Sequence, residues 1–332
     1  MSTYRTLKGY SVKSLTSDPA NPNEGQVWYN SAAKQIKIAP KIGAWASGGA
    51  MNTAKQECGG CGTQTAGLVW AGTFEDGDSV DASLTVDTEE YNGTSWAEQN
   101  NLGTKRSFLA SAGTQTAALT AGGQNGDTVY VNTEEYGGTS WTAGGNLPAA
   151  KSNWCGLGTQ TAALALAAQQ NTAAGVNVEA YDGSSWSEGP NINTGRNNAA
   201  AAGTSTAGLL VTGSAPSAPG RVVHVEEYDG TSWSEQANYP TALTQLGGSG
   251  LQTDSVFFGG SAPTKQTAAN TYDGTAFATT GALANANGEM GTTTGTPTAS
   301  GALSMGGNGP PAYRTQTEEF TNVATTRTVD VS

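Results

Sequence analysis

The chain has 332 residues, of which 46 are glycine and only 13% are charged, with a formal net charge of −12. Glycine without a collagen period, at low charge, excludes a fibrous or a disordered chain, while the length admits one large all-β domain or two ordinary ones. The acidic balance argues against nucleic acid and anionic membrane as partners, because both need a cationic footprint.

Met1-Ser2-Thr3-Tyr4-Arg5-Thr6 lacks the apolar core of a signal peptide, and no apolar run approaches the roughly 20 residues that span a bilayer. A soluble protein, not exported by the usual route and without membrane insertion, is expected. Residues 1–42 stand apart from the rest: a turn-rich stretch, Asp18-Pro19-Ala20-Asn21-Pro22-Asn23-Glu24-Gly25, precedes Gln26–Asn30, Ser31–Lys34 and Gln35–Ile38. This predicts a small hairpin, marginal by itself and in need of a partner surface.

Residues 43–332 form the second predicted domain. Lys41-Ile42-Gly43-Ala44-Trp45 looks like the second half of a repeat whose first half is missing. A repeating order follows: a small-residue strand, a Gly-Thr-x-Thr turn, an apolar strand ending in Gly, a variable loop and a Tyr-to-Trp hairpin. The turns begin at Gly62, Gly113, Gly158, Gly203, Gly250 and Gly295, at spacings of about 51, 45, 45, 47 and 45. The hairpins are Tyr91–Trp96, Tyr136–Trp141, Tyr181–Trp186 and Tyr228–Trp233, then a weakened Tyr272–Phe277 and a decayed sixth, Thr317 to Val331. Asn-Gly, Gly-Gly or Asp-Gly at their tips suits a tight turn.

Four short strands per unit cannot bury two faces alone. Radial stacking into an all-β, six-bladed β-propeller gives every sheet two neighbours and leaves only short edges. Small strands such as Asn198-Ala199-Ala200-Ala201-Ala202 suit the crowded axis. The Trp45 strand is expected to pair beside the last hairpin and lock the ring.

Two resemblances attach to these residues. The run Asn21-Pro22-Asn23-Glu24-Gly25-Gln26-Val27-Trp28-Tyr29-Asn30-Ser31, leading into repeats with Tyr228-Asp229-Gly230-Thr231-Ser232-Trp233, resembles virion structural proteins of marine tailed bacteriophages, especially those of cyanobacteria. The resemblance implies a particle component assembled in the host cytoplasm. Its N-terminal arm would dock onto other virion proteins in an oligomeric assembly, with a host-surface glycan as a possible further partner. The order Gly122-Gly123, Tyr136, Trp141 is similar to the kelch repeat, with Gly259-Gly260 and Gly306-Gly307 matching and Gly72, Gly213 and Ala167-Ala168 departing.

Candidate chemistry is sparse. The single histidine, His224, leaves one base for any nucleophilic triad and no ligand set for copper, and Cys58, Cys61 and Cys155 fall short of a zinc quartet, so no cofactor or metal is expected. Buried thiols in thin strands are the expectation for the cysteines. Tyr181-Asp182-Gly183-Ser184-Ser185-Trp186 superficially resembles a sialidase Asp box, but its recurrence marks a turn device. Arg106, Arg196 and Arg314 are candidates to converge on an anion.

Counting back seven residues from each turn glycine gives Lys55, Arg106, Lys151 and Arg196, then Leu243 and Gly288. One reading is a cationic ring at a channel mouth that holds the carboxylate or sulfate of a glycan. The other is an ion pair between blades with Glu89, Glu134, Glu179, Glu226 and Glu318, two residues before each Tyr or its Phe320 equivalent, although the sixth unit keeps Glu318 without a cation. A non-enzymatic virion structural protein is therefore expected, with a glycan-cleaving enzyme or a purely cementing protein as alternatives. Its partner contacts are placed on the insertions Thr73 to Ala82 and Ser214 to Arg221.

Overall fold

The computed structural model describes residues 12–19, 26–38, 41–74, 83–167, 169–170, 173–215, 220–292, 298–309, 312–324 and 327–328. Their regular structure is β throughout, as expected, and no helix is long and apolar enough to cross a membrane. The chain divides into two compact units, residues 1–44 with 322–332, and residues 45–321.

The smaller unit holds a four-stranded sheet in the order Lys13–Leu15, Val27–Asn30, Gln35–Ile38, Arg327–Thr328, with the first pair parallel. Strand alternation buries Trp28 and Asn30 and leaves Val27 and Tyr29 outward. The Trp28 indole N–H and the Asn30 amide both donate to Asp18 Oδ1, at 2.9 and 2.7 Å. These donors, Asn30 first, hold the Asp18 carboxyl below its ordinary range. Arg327 and Thr328 pair with Ile38 and Lys37. The predicted hairpin from Thr317 to Val331 is therefore a single strand, Thr317–Ala324, and a separate short strand in another sheet. The first boundary falls at residue 44, close to the 42 expected, while the extension of the second domain to residue 332 is corrected, since 322–332 belong to the smaller unit.

In the larger unit the described residues form six four-stranded sheets in chain order. From inside out, sheet one is Gly59–Thr63, Ala66–Trp70, Thr88–Tyr91, Trp96–Gln99, and sheet two is Ala110–Thr114, Ala117–Ala121, Thr133–Tyr136, Trp141–Ala143. Sheet three is Cys155–Thr159, Ala162–Leu166, Val178–Tyr181, Trp186–Gly189, and sheet four is Ala200–Thr204, Ala207–Val211, Val225–Tyr228, Trp233–Glu235. Sheet five is Gly247–Leu251, Asp254–Phe258, Ala269–Tyr272, Phe277–Thr279. Sheet six begins with Gly291–Thr292, Leu303–Met305 and Thr317–Ala324, and the strand Lys41–Ser47, from Trp45 on part of this unit, takes its outer edge. Trp45 packs on Phe258 and Phe320 with ring centroids 4.5 and 5.1 Å apart.

Each innermost strand adjoins the next, and that of sheet six adjoins that of sheet one, which closes a β-propeller-like ring. The crowding explains the small residues: a Cβ on Gly156 would lie 2.4 Å from the Ser111 carbonyl oxygen of the neighbouring sheet. The Gly-Thr signature has a local cause. Gly62 has φ +101°, and a side chain there would also meet the Ala66 carbonyl. The sixth turn, from Gly295, begins outside the described residues.

The outer hairpins pair Tyr91 with Trp96 and Tyr136 with Trp141, and so on around the ring. Their turns are tight, as expected: Gly93 has φ +89° and the Asn92 N–H donates to the Ser95 carbonyl at 3.2 Å. Asn92 Oδ1 accepts the Thr94 and Ser95 amides, each at 2.9 Å, and Asp182, Asp229 and Asp273 repeat the arrangement. The recurring carboxylate is thus a turn device.

Each seam between sheets holds a hydrophobic cluster. Among the described residues, three of the six seams add three side-chain ties each. At the seam of sheets one and two the Tyr136 hydroxyl donates to Glu90, Trp141 Nε1 to Thr88 Oγ1, and Gln115 Nε2 to the carbonyls of Gly67 and Tyr91. At the closing seam, Tyr91 donates to Glu319 at 2.5 Å, Trp96 to Thr317 at 2.9 Å and Gln64 to Thr321 at 3.1 Å. Each bond adds about 1 kcal/mol net and fixes how neighbouring sheets register.

Candidate functional site

The four repeated cations do not form an open ring. Lys55, Arg106 and Arg196 have no exposed surface and Lys151 has 2%. Lys55 pairs with Glu89 at 3.0 Å, Arg106 with Glu134 at 2.8 Å, Arg196 with Glu226 at 2.6 Å, and Lys151 with Glu179. A ligand has no route to charges that are enclosed and already paired, so the glycan-anchoring role predicted for them is withdrawn. The pairs also differ from the expected contact between blades, because each Glu belongs to the sheet that its cation introduces. The connecting segment folds over its own sheet and the carboxylate holds it down. One Glu226 oxygen takes Arg196 while the other accepts the Asn193 amide at 2.7 Å, and Glu134 does the same with Gly103 and Glu89 with Asn52. Burial pulls the Arg106 and Arg196 guanidinium groups below their usual range, opposed by their carboxylate partners.

Sheets five and six replace the pair. Leu243 stands at the cation position of sheet five, and Asn270 donates to the buried Tyr239 hydroxyl at 2.9 Å. In sheet six the equivalent of the cation is Asn287 and not Gly288, because Ala284, three residues earlier, is the amide that Glu318 accepts, at 2.7 Å. Asn287 donates to the Gly306 carbonyl at 2.7 Å. Arg314 donates to Gln316 at 3.0 Å. Arg106, Arg196 and Arg314 therefore do not converge. His224, with 37% of its side chain exposed, lies 3.6 Å from Glu235 on the surface. None of the three cysteines is in a disulfide, and burial pushes the Cys58 and Cys155 thiols up to about 11 and about 12. Among the described residues no three His, Cys, Asp or Glu side chains group as a metal site requires. Most of the two long insertions, residues 75–82 and 216–219, lies outside the described residues.

A different ring lies on the axis. Two residues before each innermost strand stand Glu57, Phe108, Asn153, Asn198, Gln245 and Glu289, all left-handed, with φ between 51° and 60°. Their backbones bond head to tail around the axis. Phe108 N–H donates to Glu57 O at 3.2 Å, Asn153 to Phe108 at 3.0 Å, and Asn198 to Asn153 at 3.0 Å. Gln245 then donates to Asn198 at 2.9 Å, Glu289 to Gln245 at 3.2 Å, and Glu57 back to Glu289 at 2.7 Å. A left-handed non-glycine residue costs about 1–2 kcal/mol, which the closing hydrogen bond of each offsets.

These six residues rim a cup of about 120 Å³ at one end of the axis, walled below by small inner-strand residues such as Gly60, Ser111, Gly156 and Ala201. The cup is chemically lopsided. Glu57 and Glu289 adjoin on one side, and Asn153, Asn198 and Gln245 occupy the other, with Phe108 between Glu57 and Asn153. Lys265 pairs with Glu289 at 3.0 Å and donates to Gln245 Oε1 at 3.3 Å. Burial, and then the charge of Glu289, push the Glu57 carboxyl up to about 7. Glu57 is thus poised between donor and acceptor near neutrality. Sequence reasoning missed this ring, because its members share a backbone conformation and no side-chain type.

No family model and no curated protein sequence matches the chain. Among solved structures, that of YjhT matches with a TM-score of 0.63 at 12% identity, over 86% of this chain and 97% of that one. The match establishes the β-propeller-like fold.

Proposed function

We propose that the chain is a six-bladed, kelch-like propeller acting without catalysis as a structural component of a tailed-phage particle, for decoration or for adhesion to a host surface. The observation that carries the reading is the outward face of the small sheet. Val12, Val27 and Tyr29 are 44%, 40% and 37% exposed there, whereas Trp28 between the last two is fully buried. Val27 and Tyr29 belong to the run that resembles marine phage virion proteins, and an apolar strip on a small sheet suits docking onto another protein of the particle. The repeated charges support the same reading, since they serve the rigidity of the sheets. Mass spectrometry of purified particles tests the reading, and absence of the chain from them would defeat it. Val27→Asp with Tyr29→Asp is expected to block incorporation while leaving thermal unfolding of the purified chain nearly unchanged.

A second reading, glycan cleavage, draws on one observation. Glu57, pushed up to about 7, adjoins a second carboxyl, Glu289, and a pair of carboxyls is the equipment of glycoside hydrolysis. Incubation with host polysaccharide decides between the two: shortened chains that Glu57→Gln abolishes would favour cleavage.

A further inference from the structure

We propose that the axial cup binds the terminal residue of a neutral glycan, with the carboxamides of Asn153, Asn198 and Gln245 and the carboxyls of Glu57 and Glu289 bonding its hydroxyls and Phe108 covering its apolar face. For its biological setting the inference rests on the adhesion reading above, and it names the place and class of ligand.

Three features converge on it. The first is geometric: six hydrogen-bonded backbones fix the rim, so the Cα positions that carry its side chains are set before a ligand arrives. The second is chemical. A sugar hydroxyl donates and accepts at once, and its partners must do both in a small space. A carboxamide offers two donors and an acceptor, and a carboxyl adds acceptors. An aromatic ring at the same rim suits the C–H face of a pyranose. The cup, about 120 Å³, takes the volume of roughly four waters, enough for the buried edge of one sugar ring and too little for a chain.

The third feature sets the charge of the ligand. Lys55, Arg106, Lys151 and Arg196 are enclosed in ion pairs, and Lys265 at the rim is taken by Glu289. What remains facing a ligand is carboxyl and amide, on a chain of net charge −12. A sulfated or carboxylated sugar meets repulsion there with no cation to compensate it. The cup is therefore selective against anionic sugars.

Saturation-transfer NMR and calorimetry on the purified full chain test this directly. The probes are glucose, galactose, mannose, xylose and N-acetylglucosamine, set against glucuronic acid and glucosamine. At least one neutral sugar is expected to bind, with glucuronic acid failing. Asn153→Gly with Asn198→Gly keeps the left-handed backbone and removes two carboxamides, and is expected to weaken binding roughly tenfold or more. Phe108→Leu, which retains bulk in the rim, is expected to weaken it less and to erase transfer to the ring face. Binding of the amine or the acid alone, binding by no neutral sugar, or binding unchanged in folded variants would overturn the proposal. Particle incorporation is read separately, so loss of the virion reading and loss of this one are distinct results.

Discussion

Two neighbouring seams of the ring are built differently. Between sheets two and three the Tyr181 hydroxyl donates to Glu135, Trp186 Nε1 to Thr133 Oγ1 at 2.8 Å, and Gln160 Nε2 to the carbonyls of Ala118 and Tyr136. Between sheets three and four all three ties are gone. Ala180 replaces the glutamate, Ser205 the glutamine and Val178 the threonine, and the buried Trp233 Nε1 has no partner. The untied seam holds more branched aliphatic bulk, with Leu157, Leu164, Leu166, Val178, Ile192 and Leu210, where the tied one has Leu119 and Leu147 among Ala110, Ala112, Ala121, Ala163 and Ala165. Apolar bulk therefore substitutes for side-chain ties in holding sheets together. Three ties recur at the seam that joins sheet six to sheet one.

The largest expected effect comes from attacking the bulk. Leu164→Ala opens a cavity in the untied seam and is expected to cost about 3–4 kcal/mol, read as a lower midpoint in urea unfolding. An equal loss from removing a single polar tie in the tied seam would break the comparison. Next come the buried ion pairs, which stand in the sheets on either side of both seams. Glu134→Gln and Glu226→Gln each leave a guanidinium buried without its counter-charge, at about 3 kcal/mol apiece. Similar values sharpen the comparison, since they confine the difference to the seams; a much smaller loss at Glu226 would show that sheet four is held by other means.

Around the axis the closing seam invites a pH measurement. Glu57 has its carboxyl raised above the usual range to about 7, so the folded chain holds a proton that the unfolded chain has released. Its contribution is fully present below about pH 4.5, the ordinary glutamate value, and is lost as pH rises through about 7. The loss is on the order of 2–3 kcal/mol, and Glu57→Gln is expected to flatten that part of the stability profile. An unchanged slope in the variant would place the titration elsewhere.

How far the chain was legible follows from what repeats. Tyr-to-Trp hairpins, Gly-Thr turns and small inner strands recur as residue types, so the sheets and their order could be read from the sequence. The glutamates were recognised as partners of the cations, but spacing along the chain could not show that each connection folds over its own sheet. In sheet six the count slipped by one residue, onto Gly288, because the distance from Asn287 to the turn glycine differs there. The final strand, Arg327–Thr328, left the repeat for another sheet, and a decaying pattern carries no sign of that. The axial rim escaped altogether. Glu57, Phe108, Asn153, Asn198, Gln245 and Glu289 have one backbone conformation in common but no shared side-chain type, so no pattern of residues marks them along the chain.

The smallest effect bears most directly on the seams. Thr133→Val copies the untied seam into the tied one and orphans Trp186 Nε1, at an expected cost of about 1–2 kcal/mol. Val178→Thr does the reverse: it offers the unpartnered Trp233 Nε1 an acceptor where Thr88 and Thr133 serve Trp141 and Trp186. The swap conserves shape but exchanges a methyl for a hydroxyl in the larger apolar cluster, so the gained bond is partly offset by desolvation. A net gain of up to about 1 kcal/mol, or about 1–3 °C in the melting midpoint, is expected. The two changes lie on separate seams and should add in the double variant. Destabilisation by Val178→Thr would mean that the packing of sheets three and four has adjusted to the missing ties so closely that restoring one no longer fits.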